Sequence, residues 1–115
     1  MPVNQEFRSH VRTQISQLVN LTDRAMFGGV GLYADGKIFG VLDNDTLYLK
    51  ADDQSRDRFI AAGSFPFSPY GDSGPTMGYY AIPAAVLDDT AALQPWIELA
   101  LAAAQRAPVK KSRSK

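Results

Sequence analysis

Phe7, Val11, Ile15 and Leu18 recur every three or four positions, with Thr22 continuing the series and Val19 widening it. That period places them on one stripe of an amphipathic helix, predicted over 4–20. Pro2 and Asn4 suit its start. Glu6 lies in the first turn, where a carboxylate meets the positive end of the helix dipole.

Further on, the period shortens to two. Residues 31–34 read as a strand, Asp35-Gly36 as a two-residue type I′ turn, whose central positions both need positive φ, and 37–42 as the returning strand. Asp43-Asn44-Asp45 reads as a three-residue turn into a third strand, 46–50. The first turn sets Leu32 opposite Phe39 and Val30 opposite Val41; the second sets Val41 opposite Leu47 and Phe39 opposite Leu49. Val30, Leu32, Phe39, Val41, Leu47 and Leu49 then share one face, as a sheet covered by helices requires. The opposite face carries Tyr33, Ile38, Leu42, Tyr48 and Lys50 around Gly40. A solvated face is usually richer in threonine, lysine and glutamate. Two readings fit: a partner or dimer surface, or a face covered by a long loop or the C-terminal segment.

Asp52 or Asp53 is placed to cap a short helix through Phe59, Ile60 and Ala62, closed by Gly63 at the C′ position. Phe65-Pro66-Phe67 has to be an edge strand or an extended lead-in, because proline donates no backbone hydrogen bond. Residues 70–75 read as a loop and 76–82 as the last strand, ended by Pro83. Asp88 and Asp89 precede a final helix with the stripe Leu93, Ile97, Ala100, Leu101 and Ala104, and Trp96 beside it. Pro95 predicts either a tight, irregular first turn or a regular helix starting near Gln94. Helix, three strands, helix, two strands, helix is the pattern of an α+β fold with an antiparallel sheet.

Between the first helix and the first strand lies Arg24-Ala25-Met26-Phe27-Gly28-Gly29-Val30-Gly31, with three of the nine glycines. Phosphate-cradling loops run from strand to helix, so that a helix N-terminus points at the anion. Here the predicted order is helix to strand, and the glycines read as a packing joint that brings Phe27 beneath the sheet. Met26 and Phe27 read as core plugs. Arg24 reads as a helix-end cation, with a ligand contact as the sharper alternative.

The chain has 115 residues, 45% hydrophobic and 21% charged, which is the composition of one globular domain. It has no cysteine, which excludes disulfides and thiolate catalysis, and His10 alone cannot build a histidine metal cluster. The pairs Asp43/Asp45, Asp52/Asp53 and Asp88/Asp89 all fall at turns or caps, where aspartate serves structure. The expectation is a non-enzymatic protein without cofactor or metal. No apolar run is long enough to cross a bilayer and the first residues do not form a signal peptide, so the expected location is cytoplasmic.

Net charge is zero, yet Lys110, Lys111, Arg113 and Lys115 all follow Pro108. Residues 1–107 hold eight basic against twelve acidic residues, a net of −4. The division expected is a folded domain over 1–107 and a basic flexible tail over 108–115. An acidic body repels nucleic acid, so binding through the tail alone would be weak and salt-sensitive. A solvated tail that aids solubility is the other reading.

Arg24, Met26, Phe27, Gly28, Gly29, Gly31-Leu32-Tyr33, Asp35-Gly36, Phe39 and Leu47-Tyr48-Leu49-Lys50 occur in an order that resembles the N-terminal domain of the TfoX/Sxy competence regulators. Phe65 to Phe67, Met77-Gly78-Tyr79-Tyr80, Pro83 and Trp96 with its alanine-rich helix continue the resemblance, which covers roughly residues 5–107. It implies a two-layer helix-β3-helix-β2-helix sandwich like that of secretion chaperones. It also implies a link to regulation, since full-length members add a C-terminal helical domain and promote transcription of competence genes alongside the cyclic-AMP receptor protein. With the sequence ending at Lys115, the expectation is this domain standing alone. The resemblance carries over no enzymatic residue. The expected function is a protein-interaction domain, an accessory regulator that binds a protein partner or a second copy through Tyr33, Ile38, Leu42 and Tyr48. The alternative is weak association with nucleic acid through the tail. No membrane partner is expected.

Overall fold

In a computed structural model that describes residues 4–26, 29–43, 45–67 and 78–106, the first helix, α1, spans Gln5–Ser16. The Asn4 side chain accepts hydrogen bonds from the amides of Glu6 (2.7 Å) and Phe7 (3.3 Å), satisfying two donors that the first turn leaves free. The helix ends four residues before the predicted end at 20. Leu18 and Val19 donate back to the Ile15 carbonyl, and the chain then turns into a strand.

That strand, β1 (Leu21–Met26), overturns the reading of a helix joined directly to the sheet. It pairs antiparallel with β2 (Gly29–Ala34), from Leu21 opposite Ala34 to Met26 opposite Gly29. A full ladder of backbone bonds outweighs one more helical turn. It also aims Asp23 inward, where it pairs with Arg8 of α1 at 2.8 Å and Arg12 at 3.7 Å. Thr22, whose spacing continues the helical stripe, is a strand residue. Four strands thus precede the second helix, where the sequence suggested three.

β2 turns through Asp35 and Gly36, at φ 52° and 80°, into β3 (Lys37–Asp43). This is the left-handed pair that a type I′ turn needs. Ala34 faces Lys37 as expected, and Tyr33 faces Ile38, but Leu32 faces Gly40. Phe39 is the extra residue of a β-bulge, and every pairing beyond it slips by one. Val30 therefore faces Leu42, not Val41. The next turn is also one residue shorter than expected, with Asp43 opposite Thr46, so β4 (Thr46–Lys50) sets Leu47 opposite Leu42 and Leu49 opposite Gly40. The two one-residue differences cancel in β4, where Leu47 and Leu49 point inward as expected. In β3 they do not cancel: Leu42 joins the core and Val41 moves to the other face.

After β4, Asp52 accepts hydrogen bonds from the Gln54 and Ser55 amides and leads into α2 (Arg56–Ala61). Gly63 and Ser64 close α2 by donating to Ile60 and Phe59. The backbone of Phe65 and Phe67 then runs along the outer edge of β5 (Tyr79–Ile82). Phe67 donates to Tyr79, Ala81 donates to Phe65, and Pro66 stands opposite Tyr80, where no donor is needed. A short α3 (Ala84–Leu87) precedes α4 (Thr90–Arg106). The Asp89 carboxylate caps α4 through the amides of Ala91 and Ala92, and the helix runs regularly from Thr90 through Pro95.

The sheet order is β1-β2-β3-β4-β5, all antiparallel, and the fold is α+β. Val11 and Ile15 of α1, Phe59 of α2 and Leu93, Ile97, Ala100 and Ala104 of α4 pack on the inner face of the sheet. Phe59 ties the layers together. Its ring stacks on Tyr80 of β5 (5.7 Å between centroids) and lies against Trp96 of α4 (4.9 Å).

Candidate functional site

Because the buried helix residues, Ala103 of α4 apart, belong to one core on the inner face, the other face of the sheet has no helix over it among the described residues. The pairings order that face into two central rows. One runs Arg24, Gly31, Val41, Tyr48 and Ala81; the other runs Thr22, Tyr33 and Ile38, with Lys50 and Tyr79 beyond them. Strand alternation and the bulge together decide this membership.

Three expected surface residues, Tyr33, Ile38 and Tyr48, lie on this face and are half-buried. Leu42 does not. It is 1% exposed on the inner face, and Val41, two strands from Arg24 in the first row, takes its place. The cause is the bulge at Phe39. The sequence offered one cue to it: Gly40 next to Phe39 leaves room for two successive residues to lean inward. A Cβ on Gly40 would lie 3.0 Å from the Tyr48 carbonyl oxygen and within 3.3 Å of Leu32 and Leu49 side chains, so the strands approach as closely as they do only because glycine is there.

Arg24 is an exposed strand residue whose guanidinium lies 5.5 Å from the centroid of the Tyr33 ring, so it is not a helix-end cation. At the other end of the face, the Lys50 ammonium lies 5.3 Å from the centroid of Tyr79. Both are cation–π pairs. Phe65 and Phe67 reach over the small Ala81 to Tyr48, edge-on at 6.3 Å and tilted at 4.7 Å. The segment after α2 therefore covers part of the face, while Phe65 itself stays 56% exposed. Burial pushes the Tyr48 hydroxyl pKa up, and the nearby Asp43 carboxylate adds to it. Burial does the same at Tyr79, with Tyr33 contributing.

Two of the three acidic pairs, Asp52/Asp53 and Asp88/Asp89, are engaged elsewhere. Asp52 takes a bidentate contact from Arg106 at the end of α4 (2.7 and 2.9 Å), and this partner holds its pKa down at about 2. Asp53 pairs with Arg56, and Asp88 lies 2.7 Å from His10. Asp89 caps α4. Among the described residues no three such side chains gather into a metal-binding group. An open groove of about 370 Å³ between α1, β4 and β5 is lined mainly by apolar groups, including Phe7, Leu47, Phe65, Ile82 and Leu87. The Ser64 hydroxyl at its wall donates to the Ala81 carbonyl.

Of the motif residues, Arg24 and Met26 belong to β1 and Gly29 opens β2, so the motif spans the connection of two antiparallel strands. Phe27 and Gly28 lie outside the described residues, as do Lys110, Lys111, Arg113 and Lys115. No described helix is long and apolar enough to cross a membrane.

Helices on one face of a five-stranded antiparallel sheet, with an aromatic and cationic face opposite, define a small two-layer α+β domain. The family model of the TfoX N-terminal domain matches residues 13–104, and the chain belongs to that family. Comparison with curated proteins gives no match.

Proposed function

We propose that this domain is a non-enzymatic protein-interaction module that binds through the helix-free face of its sheet, acting as an accessory regulator of the kind its family implies. One observation carries the reading: a sheet face holding Tyr33, Ile38, Val41 and Tyr48 with Arg24 and Lys50 has no helix on it among the described residues. Aromatic residues and arginine are the side chains enriched where proteins meet. The engagement of Asp52, Asp53, Asp88 and Asp89 in caps and ion pairs supports a role other than catalysis.

Photo-crosslinking in cells tests this. A benzophenone amino acid is placed at position 38, on the face, and in controls at exposed positions 9 of α1 and 98 of α4. Crosslinks to protein from position 38 alone are expected, and the mass of the product shows whether a second copy or another protein is held. Crosslinks confined to positions 9 or 98 would remove the reading.

A further inference from the structure

Resting on the reading that this face binds protein, we infer that its partner is an acidic segment of a different protein, held between Arg24 and Lys50, and not a second copy of this chain. The face is locally cationic on a domain that is otherwise acidic. Residues 1–107 carry a net charge of −4, yet the charged side chains described in the two central rows are Arg24 and Lys50. Asp23, their acidic neighbour on β1, turns to the inner face and is engaged by Arg8 and Arg12. Asp43 is on the same face one row away, beside Tyr48, so Arg24, Lys50 and Asp43 leave the face with one net positive charge.

Three strand spacings of about 4.8 Å and two residues of about 3.4 Å along the strand separate Arg24 from Lys50, so their Cα atoms lie about 16 Å apart across the face. Apolar Ile38 and Val41 and the Tyr33 ring lie between them. Each cation rests over a tyrosine ring, which restricts its long side chain before a partner arrives and reduces the ordering cost of binding. A segment with an apolar centre and flanking carboxylates matches this arrangement.

A second copy fits poorly by either route. Face to face, a two-fold axis lays the cationic patch on itself, and like charges brought together cost binding. Edge to edge, two copies of β1 must pair antiparallel with side chains on matching faces, which restricts the centred registers to two. One sets Asp23 opposite the same residue of the other copy, and the other does so for Arg24. Inward and outward charges on an edge strand oppose such pairing. Single-stranded nucleic acid is also disfavoured. The Tyr33 and Tyr79 rings carry cations over their faces, and Tyr48 is packed against Phe65 and Phe67, so these three rings are already engaged on a net acidic domain.

The experiment uses the full chain and fluorescence anisotropy with three labelled probes: a peptide alternating glutamate and leucine, the same peptide with glutamine for glutamate, and oligothymidine. The expected result is binding of the glutamate peptide at least tenfold tighter than the glutamine peptide, weakening with salt. Arg24→Glu and Lys50→Glu, both checked for native circular dichroism, should each lose at least tenfold, and light scattering should give a monomer. Equal binding of both peptides, with NMR shift changes on β1–β4, would overturn the acidic partner but keep the face. No peptide binding there overturns both. Oligothymidine that binds as tightly as the glutamate peptide and loses that binding in Arg24→Glu transfers the face to nucleic acid, and a dimer disrupted by Arg24→Glu transfers it to a second copy; either result overturns the inference.

Discussion

Truncating Leu42 and its neighbour Val41 separately measures which of them the core contains. Leu42 is 1% exposed, lies in one row with Val30 and Leu47, and belongs to the same cluster as α4 residues Ile97 and Ala100. Leu42→Ala removes three carbons from a site walled by a sheet and a helix, which cannot collapse fully, and should cost about 3–4 kcal/mol. Val41 is on the opposite face, outside that cluster, at 9% exposure. Val41→Ala removes two carbons, at about 0.8 kcal/mol each, from a site outside the helix-covered cluster, so the loss should be about 1–1.5 kcal/mol. The difference of about 2 kcal/mol corresponds to a separation of urea midpoints of roughly 1 M for a domain of this size. Urea titrations followed by circular dichroism and Trp96 fluorescence measure it. If Val41→Ala proves as costly as Leu42→Ala, β3 pairs without the bulge at Phe39, and the composition of the helix-free face described above is wrong.

The remaining predictions concern how the layers are held. Asp52 has a folded pKa of about 2 against an ordinary 3.8, so its stabilisation is fully present above pH 4 and is lost as pH falls towards 2. Allowing for its partial exposure, Asp52→Asn should cost about 1 kcal/mol at pH 7 and much less at pH 2, as thermal melts across that range would show. Gly40→Ala should cost about 1–3 kcal/mol in the same denaturation assay, because its methyl would press on the Tyr48 carbonyl oxygen at 3.0 Å and backbone cannot swing aside. Phe59→Ala should cost about 3–5 kcal/mol by opening a void between Tyr80 and Trp96, and it should change the Trp96 emission of whatever remains folded.

Much of this architecture was legible locally. Asn4 caps α1, Asp35-Gly36 turns β2 into β3, Gly63 closes the helix at Phe59, and Pro66 stays on an edge. Each of these is dictated by one side chain or one pair of backbone angles, so few other conformations compete. The ordered motif from Arg24 to Trp96 was enough to indicate the family.

What the sequence alone could not settle was non-local. Residues 21–26 form a strand because β2 lies beside them to take their backbone bonds, and no periodicity within the segment reports that neighbour. Val41 and Leu42 are both apolar and adjacent, so composition is indifferent to which faces inward; a single extra residue at Phe39 decides it. Arg24 likewise looked like a helix-end charge until strand pairing set it above Tyr33. The sequence determined the fold class, the family and most turns through short-range sterics and hydrogen bonding. Only the tertiary structure decided which aromatic and cationic side chains share the helix-free face, because in a β-sheet face membership depends on register, and register is fixed between strands.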